Sequence, residues 1–281
     1  MTLNEILPSP LRDATCVSGG DINDAYRLTL EDGTRVFMKA NRLVGLDFFR
    51  AEADGLAAIR ATDAIRVPSV IAAGKDNRFG AFLLMEWVEP APKCRDFWET
   101  FGHSLAAMHR APADRFGWEK DNFIGASPQV NAPRDSWVDF FRDCRLAPQF
   151  RRAEHWLDAA ARKRAARLLD HLEDFLIEPD RPSLLHGDLW SGNYITGSDG
   201  QAWLIDPAVY VGHAEADLAM TELFGGFAPS FYAAYREVNP IQPEYARRRD
   251  LYNLYHLLNH LNLFGGGYLS AVMRVLNAYC P

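Results

Sequence analysis

The tightest constraint on this chain is a change of apolar period near residue 88. Before that point apolar residues alternate or fall in short β-prone runs, and beyond it they recur at helical spacing almost to the end. Ala25 to Leu30 and Arg35 to Ala40 flank Glu31, Asp32 and Gly33, a hairpin signal, and a further strand is expected before them. Leu46 to Thr62 puts Phe49, Ala53, Leu56 and Ile59 at helical spacing. Arg66 to Ala73 and Ala81 to Val88 then read as strands separated by Gly74, Asp76, Asn77 and Gly80. Pro90 and Pro92 interrupt, and Phe97, Phe101, Leu105 and Met108 mark an amphipathic helix, so a lobe boundary is expected between Glu86 and Glu89. Helices are expected over Trp137 to Arg145, Trp156 to Leu176, Ala216 to Phe224, Phe231 to Val238 and Glu244 to Phe264. A second hairpin is expected from Asn193 to Thr196 and Gln201 to Ile205. The pattern predicts an α+β chain of two lobes. Residues 1–88 form a small antiparallel sheet with one helix, and residues 89–281 form a larger, mainly α-helical lobe.

Against that background one stretch stands out, Leu184 to Asn193, which reads LLHGDLWSGN. Asp188 and Asn193 have four residues between them, the D-x-x-x-x-N spacing of a phosphotransferase catalytic loop. There the Asp accepts the acceptor hydroxyl's proton and the Asn holds Mg²⁺. The spacing alone is weak, but the apolar run Gln201 to Ile205 ends in Asp206, where a second metal-binding carboxylate is expected. Phosphoryl transfer needs hard oxygen ligands and charge neutralisation more than covalent machinery, and Asp188, Asn193 and Asp206 supply that set.

The amino-terminal segment carries complementary residues. Ser18, Gly19 and Gly20 sit in a strand-to-strand bend whose backbone N–H groups suit phosphates. Lys39, near the end of the third expected strand, is aligned to reach the α- and β-phosphates, with Glu52 on the next helix as its ion-pair partner. Singly, each has a plainer role: a glycine pair in a turn, a solvated lysine, an Asp or Asn capping a loop. Their order along the chain is what favours the joint reading. His186 reads as a backbone-fixing group rather than a base. Asp217 either braces the catalytic loop or caps a helix, and Trp190 either stacks on an acceptor sugar or is core, with the sugar favoured.

Composition removes some functions. A net charge of -7 and a pI near 5.6 argue against a nucleic-acid binder, whose footprint is basic. Cys16, Cys94, Cys144 and Cys280 are scattered without C-x-x-C pairs, and the N-terminus lacks a basic-then-apolar leader, so free thiols in a reducing cytoplasm are expected. The longest apolar run, Ala81 to Met85, is far short of a membrane span.

At LLHGDLWSGN and DPAVYVGHAEADLAMTELFGGF (206–227) the chain resembles the fructosamine kinases, or ketosamine 3-kinases, among the aminoglycoside-phosphotransferase-like kinases. The likeness extends to DNFIGASPQVN (121–131), FFRDCRLAPQ (140–149) and LYNLYHLLNHLNLFGGGYL (251–269), and so covers nearly the whole chain. It implies a two-lobed, protein-kinase-like enzyme that uses ATP and Mg²⁺ to phosphorylate the 3-hydroxyl of a ketoamine, a sugar joined to an amine by glycation. By the resemblance, Asp188 is the base, Asn193 and Asp206 bind metal, and Lys39 and Glu52 anchor phosphate. Met85, Glu86, Trp87 and Val88 form an adenine-contacting hinge through the backbone of Glu86 and Val88.

Two positions depart from the family pattern. Asp21 follows Gly20 where some relatives carry Cys, and Ala214 stands where GHREAD would have Arg. The second bears on substrate preference. A kinase of the same fold acting on an aminoglycoside, choline or another small alcohol is the neighbouring reading. A catalytically dead binding module predicts loss of Lys39, Asp188, Asn193 or Asp206, and all four are present.

Overall fold

The structure is a computed structural model and describes residues 2–17 and 22–280. Gly19 and Gly20, expected to approach phosphates, lie outside the described residues.

A short helix α1 (Leu3–Ile6) leads into β1 (Leu11–Cys16), β2 (Asp24–Leu30) and β3 (Arg35–Asn41). Helix α2 (Leu46–Ala61), β4 (Val70–Asp76) and β5 (Gly80–Glu86) follow. The strands form one antiparallel sheet in the order β1-β2-β3-β5-β4. Period-two alternation divides its faces. Val36, Met38 and Ala40 join Leu28, Phe82 and Leu84 in a core with Leu3, whereas Leu83 and Met85 face Phe49, Leu56 and Ile59 of α2. The expected order of three strands, helix, two strands is therefore observed. The fourth expected strand starts later than its pattern suggested, because Pro68 interrupts the run; Arg66 forms only an isolated bridge to Trp203.

Beyond the sheet lie α3 (Phe97–His109), a hairpin β6 (Asn122–Ile124) and β7 (Ser127–Gln129), α4 (Trp137–Phe140) and α5 (Ala147–Arg152). Then come α6 (Ala159–Asp170), β8 (Ser183–Leu185), β9 (Tyr194–Thr196), β10 (Ala202–Leu204) and β11 (Tyr210–Gly212). Helices α7 (Glu215–Leu223), α8 (Pro229–Val238), α9 (Tyr245–Phe264) and α10 (Leu269–Tyr279) complete the lobe. Where one helix was expected from residue 137, a π-helical turn at Phe141–Leu146 joins α4 to α5. The long helix expected over residues 156–176 is also shorter: Asp158 caps α6 by accepting from the Ala161 N–H, and α6 ends at Asp170. The β9–β10 hairpin forms as expected.

Helix α9 is buried along most of its length, from Leu251 to Asn259, and centres the core of the helical lobe. Helices α3 and α8 pack closely at Gly102, where a Cβ would lie 2.3 Å from the Phe231 carbonyl oxygen. All four cysteines are free thiols. Among the described residues no helix is long and apolar enough to cross a membrane.

Candidate active site

The sheet contributes a buried cation. Alternation along β3 turns Lys39 toward α2, and Glu52, one turn after Phe49 and one before Leu56, points back from that helix's packed side. Lys39 Nζ donates to Glu52 Oε1 at 2.6 Å and also to Asp206 Oδ1, so one ammonium spans the two lobes. Burial works against its charge, but the carboxylates of Asp206 and Glu52 outweigh that and hold its pKa above the usual lysine value. Burial pushes Glu52 upward, with Lys39 opposing.

The helical lobe contributes two loops that are stitched together. After β8 the chain turns at Gly187, whose φ is +82° and where a Cβ would meet the Ala208 carbonyl oxygen at 2.1 Å, so only glycine fits. The Ala208 N–H donates to His186 O at 2.8 Å, the Ile205 N–H to Asn193 O at 3.0 Å, and His186 Nε2 to Ile205 O at 2.9 Å. These bonds bring Asp188 and Asn193 beside Asp206, which itself holds a left-handed φ of 56°. His186 Nδ1 accepts from the Asp188 N–H at 3.2 Å, the backbone-fixing role its position suggested.

Of the two roles open to Asp217, bracing is the one the structure displays. Asp217 lies inside α7 and accepts from the N–H groups of His186 at 2.7 Å and Gly187 at 2.9 Å. His109 Nε2, 3.2 Å away, in turn contacts Tyr235 through Nδ1. Burial would raise the Asp217 carboxyl, but these partners hold it below its ordinary value.

Asn193 Nδ2 donates to the Asp188 carbonyl at 2.8 Å and to Asp188 Oδ2 at 3.0 Å. Burial drives the Asp188 carboxyl up to about 7 despite that bond, the nearby Asp206 charge adding to the rise. A carboxylate with this affinity for protons is suited to accept one near neutrality.

These groups open on a cleft of about 1080 Å³, large enough for a nucleotide and a small acceptor together. Met85, Glu86, Trp87 and Val88 line it. The Glu86 N–H donates to Ser69 O at 2.9 Å, and its carboxylate accepts from the Ser69 N–H at 2.8 Å. Trp190, 36% exposed, stands edge-on to Phe224, with ring centroids 6.0 Å apart, and the aromatic line continues through His260 to Tyr268. Sequence reasoning did not single out this contribution from α9. Its signal was the pair His256 and His260, four apart on one helix face. The polar knot under the cleft was missed as well. Asn122 Nδ2 donates to Val209 O, Gln129 Nε2 to Ala208 O, and Tyr255 to Gln129, which fixes the segment after Asp206.

The donor set fits a nucleotide-borne Mg²⁺. Among the described residues no group of three or more His, Cys, Asp and Glu side chains gathers to hold a metal alone. Magnesium with a nucleotide typically takes only one or two protein ligands, the remainder being phosphate oxygens and water. Asn193 meets Asp188 through its amide nitrogen, which leaves its oxygen as the group for a cation.

A sheet lobe carrying a Lys–Glu pair, above a helical lobe with a D-x-x-x-x-N loop and a following Asp, defines the class of protein-kinase-like phosphotransferases. The fold agrees: aminoglycoside phosphotransferase APH(4)-Ia superimposes with a TM-score of 0.63 at 17% identity, over 95% of this chain and 91% of that one. The family model for fructosamine kinase matches residues 3–280, and the chain belongs to that family. A probable ketoamine kinase of Synechocystis sp. is 43% identical over 96% of this chain and 90% of its own length. The crystal structure of a putative fructosamine-3-kinase from Thermobifida fusca matches with a TM-score of 0.88 at 36% identity, covering 98% of this chain and 96% of that one.

The Ala214 departure falls at the N-cap of α7, next to a buried ion pair. Arg248 of α9 donates to both oxygens of Glu215 at 2.7 Å and ties the start of α9 to α7.

Proposed function

We propose that this protein transfers the γ-phosphoryl group of ATP, bound with Mg²⁺, to the 3-hydroxyl of a ketoamine. The single observation that carries the reading is the meeting of Lys39, Asp188, Asn193 and Asp206 in one cleft. The names borne by the relatives, ketoamine kinase and fructosamine-3-kinase, support the acceptor class. Residues 1–88 act as the nucleotide-binding lobe, and residues 89–281 supply the catalytic loop and the acceptor site.

Asp188 takes the acceptor's hydroxyl proton as that oxygen bonds to the γ-phosphorus and the bond to the β-phosphate oxygen breaks, leaving ADP. Lys39, held by Glu52, faces the α- and β-phosphates. Asn193 and Asp206 hold Mg²⁺, which neutralises charge on the phosphate oxygens. The backbone of Glu86 and Val88 meets the adenine between Met85 and Trp87, with the Glu86 carbonyl as acceptor because its N–H is committed to Ser69. Trp190 stacks on the sugar. Once the product enolises toward its nitrogen-bearing carbon, a 3-phosphate leaves far more readily than hydroxide and the amine is released, so the reaction serves repair of glycated amines.

ADP release with Mg-ATP and a panel of ribuloselysine, fructoselysine, kanamycin and choline tests this. Turnover is expected with at least one ketoamine and with neither kanamycin nor choline. Turnover of kanamycin or choline but neither ketoamine would overturn the acceptor assignment while leaving the phosphotransferase intact.

A further inference from the structure

His256 lies on the buried side of α9, 4% exposed, and its Nδ1 atom has no hydrogen-bond partner. That nitrogen is 3.8 Å from Asp188 Oδ1, while the other carboxylate oxygen accepts from Asn193. A buried polar atom without a partner costs stability, so its retention beside a reactive carboxylate calls for a reason.

We infer that His256 is a positioning residue for phosphoryl transfer, its Nδ1–H donating to Asp188 Oδ1 in the assembled complex and fixing the carboxylate between itself and Asn193. The inference rests on the reading of Asp188 as the base. Catalytic hydrogen bonds are often long before substrate binds, and a contraction of well under 1 Å brings this pair into range. Nδ1 is closed to solvent, so His256 acts on the acceptor only through Asp188.

The same burial separates this role from a proton relay. Burial lowers the His256 pKa to about 3, with His260 adding to the effect, so the ring stays neutral. When Asp188 takes the hydroxyl proton, that proton stays on the carboxyl and does not pass to His256. A neutral imidazole donor lowers the carboxyl's affinity for protons, as the Asn193 amide does, but by less than a cation would. A lysine or arginine there would lower that affinity further and weaken the base. The helix sets the direction: His256 follows Tyr255, whose hydroxyl donates to Gln129 Oε1 at 2.6 Å, and the Glu215–Arg248 pair anchors the helix start.

The test is a substitution series assayed by steady-state kinetics with Mg-ATP and the ketoamine turned over best. The His256→Asn amide nitrogen can occupy the Nδ1 position, His256→Gln carries its amide one bond too far, and His256→Leu has no donor. Leu and Gln are expected to lower kcat on the order of tenfold to a hundredfold, with both KM values within about twofold of the native protein. Asn is expected to recover most of kcat, and His256→Leu in an Asp188→Asn background to cost nothing further. The inference is overturned by native kcat in the Leu or Gln variant, by a loss seen in KM alone, or by Asn as slow as Gln. Native turnover by Asp188→Asn itself would overturn the base assignment instead, so the two failures are distinct.

Discussion

Asp188→Asn is expected to lose on the order of a hundredfold or more in kcat while making the protein more stable at alkaline pH. The kinetic half follows from removing the only group the proposed mechanism gives the hydroxyl proton. The stability half follows from where the carboxyl sits. Its folded-state pKa of about 7 is above the unfolded carboxylate value. As pH rises between those values, the unfolded chain sheds a proton that the folded chain keeps, and stability falls through that window. Above about pH 7 both states are ionised and the deficit is constant. Asparagine carries no charge there and keeps an oxygen for the bond from Asn193 Nδ2. One-fifth of the Asp188 side chain is open to solvent, which screens its charge, and a gain of about 1–2 kcal/mol, or a few degrees in Tm, is expected at pH 8. Melting curves from pH 4 to 8 check it: the variant's advantage should appear at pH 8 and vanish at pH 4. An advantage independent of pH would separate Asp188 from any buried-charge role.

Lys39→Met is expected to do the opposite to stability and as much harm to activity. The side chains of Lys39 and Glu52 are only 8% and 10% exposed, so removing the ammonium leaves the Glu52 charge buried without its cation. Breaking a buried pair in this way costs about 3–5 kcal/mol, on the order of 10 °C in Tm for a chain of this size. The loss has a signature in pH. With no cation beside it, Glu52 is protonated in the folded state at a higher pH than in the unfolded chain. The destabilisation is therefore full well above neutrality and fades as pH falls toward the unfolded carboxylate value. The double variant Lys39→Met, Glu52→Gln removes the stranded charge and should regain most of the Tm. It should stay inactive, on the order of a hundredfold or more below the native rate, because no ammonium faces the α- and β-phosphates. Differential scanning calorimetry and ADP release on both variants separate the structural from the functional part of the pair. Activity restored by the second substitution would contradict the phosphate-anchoring role.

How much of this was legible from residues alone depended on whether a feature was written in a local period. The sheet and α2 were, because alternation and helical spacing decide which side of each element is buried, and that also aims Lys39 and Glu52 at each other. Asp188, Asn193 and Asp206 could be singled out because a fixed spacing and a strand end mark them. Of the bonds that unite them, Ile205 N–H to Asn193 O extends the expected β9–β10 hairpin, whereas Ala208 N–H to His186 O joins separate loops and carries no local signal. The knot of Asn122, Gln129 and Tyr255 likewise carries no local signal; His256 had only its spacing from His260 to mark it, and its polarity on an apolar helix reads as an ordinary buried histidine until the fold sets it near Asp188. The late start of α6 at the Asp158 cap, its end at Asp170 and the π-turn at Phe141–Leu146 were missed for another reason: apolar spacing continues through them and does not register where a helix begins, ends or widens.

The account stands on one spatial claim, that Asn193 and Asp206 hold the metal of a bound nucleotide while Lys39 faces its phosphates. Crystals grown with Mn²⁺ and a non-hydrolysable ATP analogue would test it by anomalous diffraction, Mn²⁺ serving as a visible substitute for Mg²⁺. The account predicts a metal peak within about 2.0–2.3 Å of the Asn193 side-chain oxygen and an Asp206 carboxylate oxygen, with phosphate oxygens and water completing the sphere. Nucleotide density in the cleft with the metal bound to neither residue, or nucleotide bound elsewhere, would contradict it.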